Sequence, residues 1–273
     1  MNGPAQAAMN HEKSMWSALQ AGITAAPPGT IVAVSVRDLR SRASFGHHDE
    51  RVFPAASTIK MVILVAVAQA IDEGRFSLSE RLPVLTTQKV GGSGVLNWLQ
   101  TGLELTLRDH AWLMIAISDN TASNVLIDAV GMPAIHDVER SLGLSATSLN
   151  RRFLGRLPDH GAPENVATAA DLTKILSSIV DGSAASPDRC AWMLELLGDQ
   201  QHTDRLSRNL PGGVTFAGKS GSLTGIAHDA GLLRAPGGGA AIAVLTKGFD
   251  DSYAADAYIG AIGKAIADDL DLG

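Results

Sequence analysis

An apolar run near residue 60 limits most strongly what this chain can fold into. Residues 61–71 read Met-Val-Ile-Leu-Val-Ala-Val-Ala-Gln-Ala-Ile, and neither Gly nor Pro occurs between Pro54 and Gly74. A helix that is hydrophobic on all sides belongs in the interior of a protein. The sequence therefore predicts one buried helix that the rest of the chain surrounds.

Two polar residues lie at the predicted start of this helix. Ser57 and Lys60 are three positions apart, which on a helix places them on one face with their Cβ atoms about 5–6 Å apart. Burial of an ammonium group costs several kcal/mol unless the group is paired or loses its proton. A structural alternative, in which Ser57 only caps the helix, leaves that cost unexplained. The pair therefore indicates a serine nucleophile with a lysine partner.

The composition excludes several classes of protein. Of the 273 residues, 45% are apolar and 18% are charged, as in a folded globular protein rather than a disordered one. The net charge of −6 gives no basic surface for nucleic acid. Lys60, Gln69 and Asp72 interrupt the best candidate for a membrane span. Because Cys190 is the single cysteine, an internal disulfide is excluded, and we interpret this residue as structural.

The first residues of the chain bear on where the protein acts. The segment from Met1 to Trp16 is polar and rich in Ala, and it lacks the basic start, apolar core and processing site of an export signal. As written, the sequence predicts a cytoplasmic protein, although an exported chain that had been trimmed at its start would look the same.

Predicted strands lie near both ends of the chain, and predicted helices lie between them. Apolar and β-branched runs predict strands at 30–36, 43–45, 214–217, 229–233 and 240–247. Apolar residues at helical spacing predict helices at 12–25, 57–71, 110–117, 121–130, 133–142, 168–180, 187–197 and 253–270.

This order of elements favours a fold of the α/β class, an α+β sandwich in which helices flank an antiparallel sheet and an all-helical lobe is inserted. We expect 12–49 and 206–273 to form the α/β lobe from both termini, and 50–205 to form the helical lobe. The active site is expected in the cleft between the two lobes.

Three polar clusters interrupt apolar or strand-like surroundings. They are Ser57-x-x-Lys60, Ser118-Asp119-Asn120 and Lys219-Ser220-Gly221. Each is weak alone, but their order and their positions at element boundaries match the motif set of class A β-lactamases and penicillin-binding proteins. Over residues 12–270 the chain resembles the class A β-lactamase-like serine hydrolases, within the penicillin-recognising serine enzymes. The resemblance implies a β-lactamase/transpeptidase-like fold.

The resemblance also implies a role for each polar residue. Ser57 would be acylated, with Lys60 as its base. Ser118 would bridge Lys60 and Lys219 and pass a proton to the leaving group. The backbone N–H groups of Ser57 and Ser222 would form the oxyanion hole. The positions implied to bind substrate are Asn120, Lys219, Ser220 and Ser222.

Other polar residues near these clusters have structural interpretations. Asp119 is expected to hold its own loop through hydrogen bonds to the backbone. His228 and Asp229 are expected to be a structural pair at the start of a strand.

One position departs from the pattern of class A β-lactamases. In that family a Glu in the loop after the Ser-Asp-Asn helices activates the water for deacylation, and counting along the loop places Phe153 there. We interpret Glu164 as a residue at the start of the next helix. Either another group, such as Lys60 or Ser118, then activates water, or the acyl group of the substrate leaves readily.

These observations favour a serine hydrolase that forms an acyl-enzyme at Ser57 and hydrolyses an ester, amide or β-lactam bond. Three alternatives stay open: a class A-type β-lactamase with a substitute deacylation base, a β-lactam-binding protein that is acylated without turnover, and a transferase or D-amino-acid peptidase whose acceptor is an amine. The expected partner is a small-molecule substrate, with no cofactor, metal ion, nucleic acid or membrane.

Overall fold

A computed structural model describes residues 15–156, 159 and 161–273. Its strands, in chain order, are β1 (Ile31–Asp38), β2 (Ser44–His47), β3 (Phe53–Pro54), β4 (Arg81–Pro83), β5 (Glu104–Thr106), β6 (Val166–Ala167), β7 (Thr215–Leu223), β8 (Ile226–Ala235) and β9 (Gly238–Lys247). Five of them form an antiparallel sheet in the order β2-β1-β9-β8-β7. The sheet is thus built from strands near both ends of the chain.

Helices cover both faces of this sheet. In chain order they are α1 (Ser17–Thr24), α2 (Lys60–Asp72), α3 (Leu107–Ala116), α4 (Asn120–Val130), α5 (Met132–Ser141), α6 (Ala169–Val180), α7 (Pro187–Gly198) and α8 (Ser252–Asp269). Side chains alternate between the two faces of a strand. In β1, Val34 and Val36 accordingly pack in one core with α1 and α8, and Ala33 packs in the other core with the remaining helices.

The helix α2 lies at the centre of the second core. Every residue from Lys60 to Ala68 is buried, and the helix packs against α4, α5 and α7. The prediction of a helix that the rest of the chain surrounds is therefore confirmed. Across the described part of the chain, no helix is long and apolar enough to cross a membrane.

A short ribbon ties the segment before α2 to the segment before α6. Within it β3 pairs with β6, with Phe53 opposite Ala167 and Pro54 opposite Val166. The backbone N–H of Ala55 continues the contact, since it donates to the carbonyl oxygen of Asn165 at 2.7 Å. The start of the central helix is thus fixed from two sides, by its own packing and by this ribbon.

The structure confirms the predicted fold class and differs from the sequence predictions at element boundaries. The predicted strand ending at Ala217 continues to Leu223, because every residue of β7 finds a partner on β8. The helix predicted at 12–25 is described over Ser17–Thr24, and its predicted start at 12–14 lies outside the described residues. The lobe boundaries stay a prediction.

Candidate active site

The chain approaches the central helix through a single tighter turn. Residues Ala56–Ile59 form a 3₁₀ helix, and the α-helix begins at Lys60. Side chains three apart in a 3₁₀ helix are eclipsed, so Ser57 and Lys60 share one side, as predicted. Ala56 has a φ of 49°, a left-handed conformation that is uncommon outside glycine. The Ser57 hydroxyl is half-buried and makes no hydrogen bond to another described residue.

The Lys60 side chain is fully buried, and its amine makes three hydrogen bonds. Nζ donates to the Ser118 carbonyl oxygen at 2.7 Å, to Ser118 Oγ at 3.0 Å and to Asn120 Oδ1 at 2.9 Å. Burial, and then the positive charge of Lys219, lowers the pKa of the Lys60 amine well below its usual value, and Asp119 opposes this effect. A lowered pKa favours the neutral form of the amine, which is able to accept a proton.

The turn that supplies these acceptors is held by Asp119. Its Oδ2 accepts from the backbone N–H of Val95 at 2.7 Å and of Leu96 at 2.9 Å, and its Oδ1 accepts from Ala122 N at 2.8 Å and caps α4. Ser118, immediately before it, has a φ of 58°. Residues in such conformations persist only where the surroundings over-determine them. The structural interpretation of Asp119 agrees with these bonds.

Asn120 connects the Lys60 amine to the neighbouring loop. Its Nδ2 donates to the Gly91 carbonyl oxygen at 3.1 Å, and its backbone N–H donates to Ser93 O at 3.1 Å. A Cβ at Gly92 would lie 2.7 Å from Asn120 Nδ2, so the close approach of this loop requires glycine there. The side-chain amide is therefore fixed at both ends.

The third cluster lies within strand β7. Lys219 is fully buried, and its Nζ donates to the Ser220 carbonyl oxygen at 2.9 Å. Burial lowers the pKa of Lys219 to about 7, although Asp229 acts in the opposite direction. A Cβ at Gly221 would lie 2.9 Å from the backbone nitrogen of Ser57. The strand therefore runs directly beside the Ser57 N–H group because residue 221 has no side chain.

Arg205 is a residue of this site that the sequence reasoning missed. It is 8% exposed, and its Nε pairs with Asp256 Oδ1 at 2.7 Å. Nη1 donates to the Gly221 carbonyl oxygen at 2.8 Å, and Nη2 donates to Ser222 Oγ at 2.6 Å. No motif surrounds Arg205 in the sequence, so only the folded arrangement reveals its contact with β7.

Two cavities meet at Ser57. One, of about 120 Å³, is lined by Ser57 with Asn120, Phe153 and Glu164 among others. The second, of about 340 Å³, is lined by Ser57 with residues that include Ser118, Ser220, Ser222 and Arg205. The structure thus brings the residues of all three clusters to one groove. Lys219 itself is buried beneath the surface of that groove.

Phe153, the position where the resemblance leads one to look for a Glu, lies against the Lys60 amine. The centre of its ring is 4.5 Å from Lys60 Nζ. Asn124 fixes the backbone of Phe153 in both directions, since Oδ1 accepts from Phe153 N at 2.9 Å and Nδ2 donates to Phe153 O at 3.1 Å. This side of the amine is therefore apolar.

Glu164 does not have the structural setting that the sequence suggested. It precedes β6 instead of starting a helix, and its Oε1 accepts from Arg151 Nη2 at 2.6 Å. Glu164 and Arg151 both line the smaller cavity with Ser57.

His228 and Asp229 are structural, and they lie within β8. His228 Nε2 donates to Pro54 O at 2.9 Å, while Nδ1 accepts from Thr246 N at 3.1 Å. Burial lowers the pKa of His228 to about 4, so its ring is neutral. Asp229 Oδ2 accepts from Leu206 N at 3.1 Å. Within the described residues, no three His, Cys, Asp or Glu side chains converge where a metal ion could bind.

The sheet, the buried helix and the groove define the class of the protein: it is a serine hydrolase. A model of the Beta-lactamase enzyme family matches residues 14–270, and the chain belongs to this family. Its relatives include β-lactamase CARB-3 of Pseudomonas aeruginosa, 28% identical over 200 residues that cover 70% of this chain and 67% of the relative.

Solved structures extend the comparison to nearly the whole chain. A β-lactamase from Sphaerobacter thermophilus is 39% identical, with a TM-score of 0.91 over 94% of this chain and 98% of that one. A mutant of PBP-A, solved as an acyl-enzyme complex with penicillin G, is 28% identical, with a TM-score of 0.85 over 95% and 96%. The β-lactamase/transpeptidase-like fold implied by the sequence is therefore confirmed.

The bonds of Asp119 lead to a prediction about stability. We expect Asp119→Ala to lower the free energy of unfolding by about 3 kcal/mol, because three backbone N–H groups lose a charged acceptor. Urea unfolding measures the change. The matched control is Asp137→Ala, whose carboxylate forms an exposed ion pair with Arg140 and should contribute less than about 1 kcal/mol. Equal losses in the two variants would contradict the assignment.

Proposed function

We propose that Ser57 forms an acyl-enzyme with a β-lactam, or with an ester or amide, and that water then releases the product. The observation that carries this proposal is the buried Lys60 amine, held by three hydrogen bonds on the side of the helix that also bears the half-buried Ser57 hydroxyl. A β-lactam is the favoured substrate, because the comparisons include β-lactamases and a penicillin acyl-enzyme.

In the first step Lys60 acts as the base. Its lowered pKa supports a neutral amine that takes the proton of Ser57 as Oγ attacks the substrate carbonyl carbon. Ser57 also lies at the N-terminal end of α2, where the helix dipole stabilises developing negative charge by about 0.3–1 kcal/mol.

The backbone N–H groups of Ser57 and Ser222 serve as the oxyanion hole. The close approach of β7 to Ser57 N, which Gly221 permits, supports this role. Each donor of this kind contributes about 100-fold or more to the rate.

Ser118 passes the proton from Lys60 to the leaving nitrogen or oxygen. The hydrogen bond between Lys60 Nζ and Ser118 Oγ supports this route, and Ser118 lines the larger cavity together with Ser57. The sequence suggested that Ser118 also bridges to Lys219. The hydrogen bond of Lys219 Nζ goes to Ser220 instead, so we propose only the Lys60 side of that bridge.

The remaining groups bind the substrate. Asn120 Oδ1 holds Lys60 and has a second lone pair, with which it can accept from a substrate amide. Ser220 and Ser222 bind a substrate carboxylate from the wall of the larger cavity. The buried Lys219 contributes its positive charge behind them.

Intact-mass spectrometry after mixing with a penicillin tests the nucleophile. We expect one equivalent of acyl label on the unaltered protein and none on Ser57→Ala, because Ser57 is the hydroxyl at the start of the helix, one turn before Lys60, that both cavities share. Ser93→Ala, which removes another hydroxyl from the same cavity, should still be labelled. Labelling of Ser57→Ala to the same extent as the unaltered protein would contradict the proposal. A label retained for hours on the unaltered protein would favour the binding protein without turnover.

A second prediction concerns the close contact at Gly221. The Cβ of Gly221→Ala would press on Ser57 N, so we expect the acylation rate to fall about 100-fold through displacement of an oxyanion donor. Gly212→Ala is the control, because a Cβ there meets no atom within 4 Å. Stopped-flow acylation with a nitrophenyl ester measures both variants. An unchanged rate in Gly221→Ala would show that this strand supplies no oxyanion donor.

The charge of Lys219 makes the recognition of anionic substrates depend on pH. With its pKa lowered to about 7, Lys219 is charged below that pH and neutral above it. We expect kcat/KM for a penicillin, divided by kcat/KM for a neutral ester, to fall about tenfold from about pH 6 to about pH 9. The ratio cancels steps that both substrates share. A ratio that is flat, or that rises with pH, would exclude this role of Lys219.

A further inference from the structure

One carboxylate in the smaller cavity has an oxygen without a partner. Glu164 Oε1 accepts from Arg151 Nη2 at 2.6 Å and from Asn165 N at 2.7 Å. Oε2 is shielded from solvent and accepts from no described residue. An ionised carboxylate can only accept hydrogen bonds, and a buried acceptor without a donor is destabilising. The Nε of Arg151 is likewise buried and unpaired, so this ion pair has bonding capacity left for a water in the cavity.

The ribbon before the central helix places Glu164 beside the segment that leads to Ser57. Pro54 pairs with Val166, and Ala55 N donates to the carbonyl oxygen of Asn165, the residue after Glu164. The pairing ends there, because Ala56 begins the 3₁₀ helix. Ala56, Ser57 and Glu164 all line one cavity.

The cavity suits a water molecule between these groups. Its volume of about 120 Å³ exceeds the roughly 30 Å³ that one water occupies in the liquid. The Phe153 ring, which lines the cavity, lies 4.5 Å from Lys60 Nζ and adds no acceptor there. Lys60 Nζ is itself engaged by Ser118 and Asn120. Glu164 Oε2 is thus a carboxylate oxygen at this cavity that accepts from no described residue.

We propose that Glu164 is the general base that activates water for hydrolysis of the acyl-enzyme, in a chain that has Phe153 where its relatives' base is expected. This inference rests on the proposed acylation of Ser57. Glu164 reaches the cavity from the ribbon at the far end of the loop, so the water approaches beside the start of the 3₁₀ helix.

A water donates one hydrogen bond to Glu164 Oε2, and its oxygen attacks the carbonyl carbon of the ester on Ser57 Oγ as its proton passes to Glu164. The bond between the acyl carbon and Ser57 Oγ then breaks. That oxygen regains a proton from Glu164, which restores the hydroxyl and the carboxylate and releases the acid.

Single-turnover kinetics followed by intact-mass spectrometry tests this assignment, with a penicillin as the probe. We expect Glu164→Gln to become acylated at the rate of the unaltered protein and to lose its label at least about 100-fold more slowly, the effect of removing a general base. Hydroxylamine is a nucleophile that needs little help from a base. It should therefore remove the trapped acyl group from this variant about as fast as it removes the acyl group from the unaltered protein.

Two further variants separate the base from a merely structural carboxylate. Glu139→Gln alters a buried glutamate whose oxygens are both paired, with Ser148 Oγ at 3.0 Å and Leu149 N at 2.7 Å, and should leave deacylation unchanged. Arg151→Gln removes the ion pair but keeps the carboxylate, and should slow deacylation much less than Glu164→Gln does.

Several results would overturn the inference. They are an unchanged deacylation rate in Glu164→Gln, an equal fall in acylation and deacylation, an equal effect of Arg151→Gln, or failure of hydroxylamine to release the label. An unaltered protein that is acylated and never deacylates would also overturn it, while leaving acylation of Ser57 intact. An unaltered protein that takes up no label at all would overturn the proposed function itself.

Discussion

The burial of the Lys60 amine is the interaction on which the rest of the groove depends. An amine in an apolar interior is costly unless acceptors surround it, and its three acceptors all come from one tight turn. That turn requires a left-handed backbone at Ser118, a conformation that costs about 1–2 kcal/mol. It persists because Asp119 binds three backbone N–H groups around it. The polar turn is therefore needed because the buried amine at the start of the apolar helix requires the acceptors that this turn supplies.

A second layer of charge lies behind this turn, in the sheet. Burial lowers the pKa of Lys219 to about 7 and raises the pKa of Asp229 to about 7. Arg205 crosses the same strands and bonds to backbone and side-chain atoms of β7. The charge of Lys219 in turn helps to lower the pKa of Lys60. The pKa of Lys60 thus depends in part on a charged residue of the sheet.

Local patterns were enough to predict the helices, most strands and the three clusters. The apolar run predicted α2, and a β-branched, apolar run predicted β1, because both patterns are properties of short segments. Arg205 and Glu164 could not be found in this way. Arg205 bonds to Ser222, and Glu164 shares a cavity with Ser57, so both depend on residues that are distant in the chain. The true end of β7 also depends on pairing with β8 rather than on its own polar sequence.

The pairing of β1 with β9 has a consequence for how the molecule is made. Ile31 meets Lys247 in this pair, so the partner of β1 leaves the ribosome only after most of the chain has been synthesised. At about 5–20 residues per second, the delay is roughly 10–40 s. Throughout this delay the hairpin of β1 and β2 presents an unpaired edge rich in valine, which is a template for aggregation. The hairpin is therefore the segment that a chaperone has most reason to cover during biosynthesis.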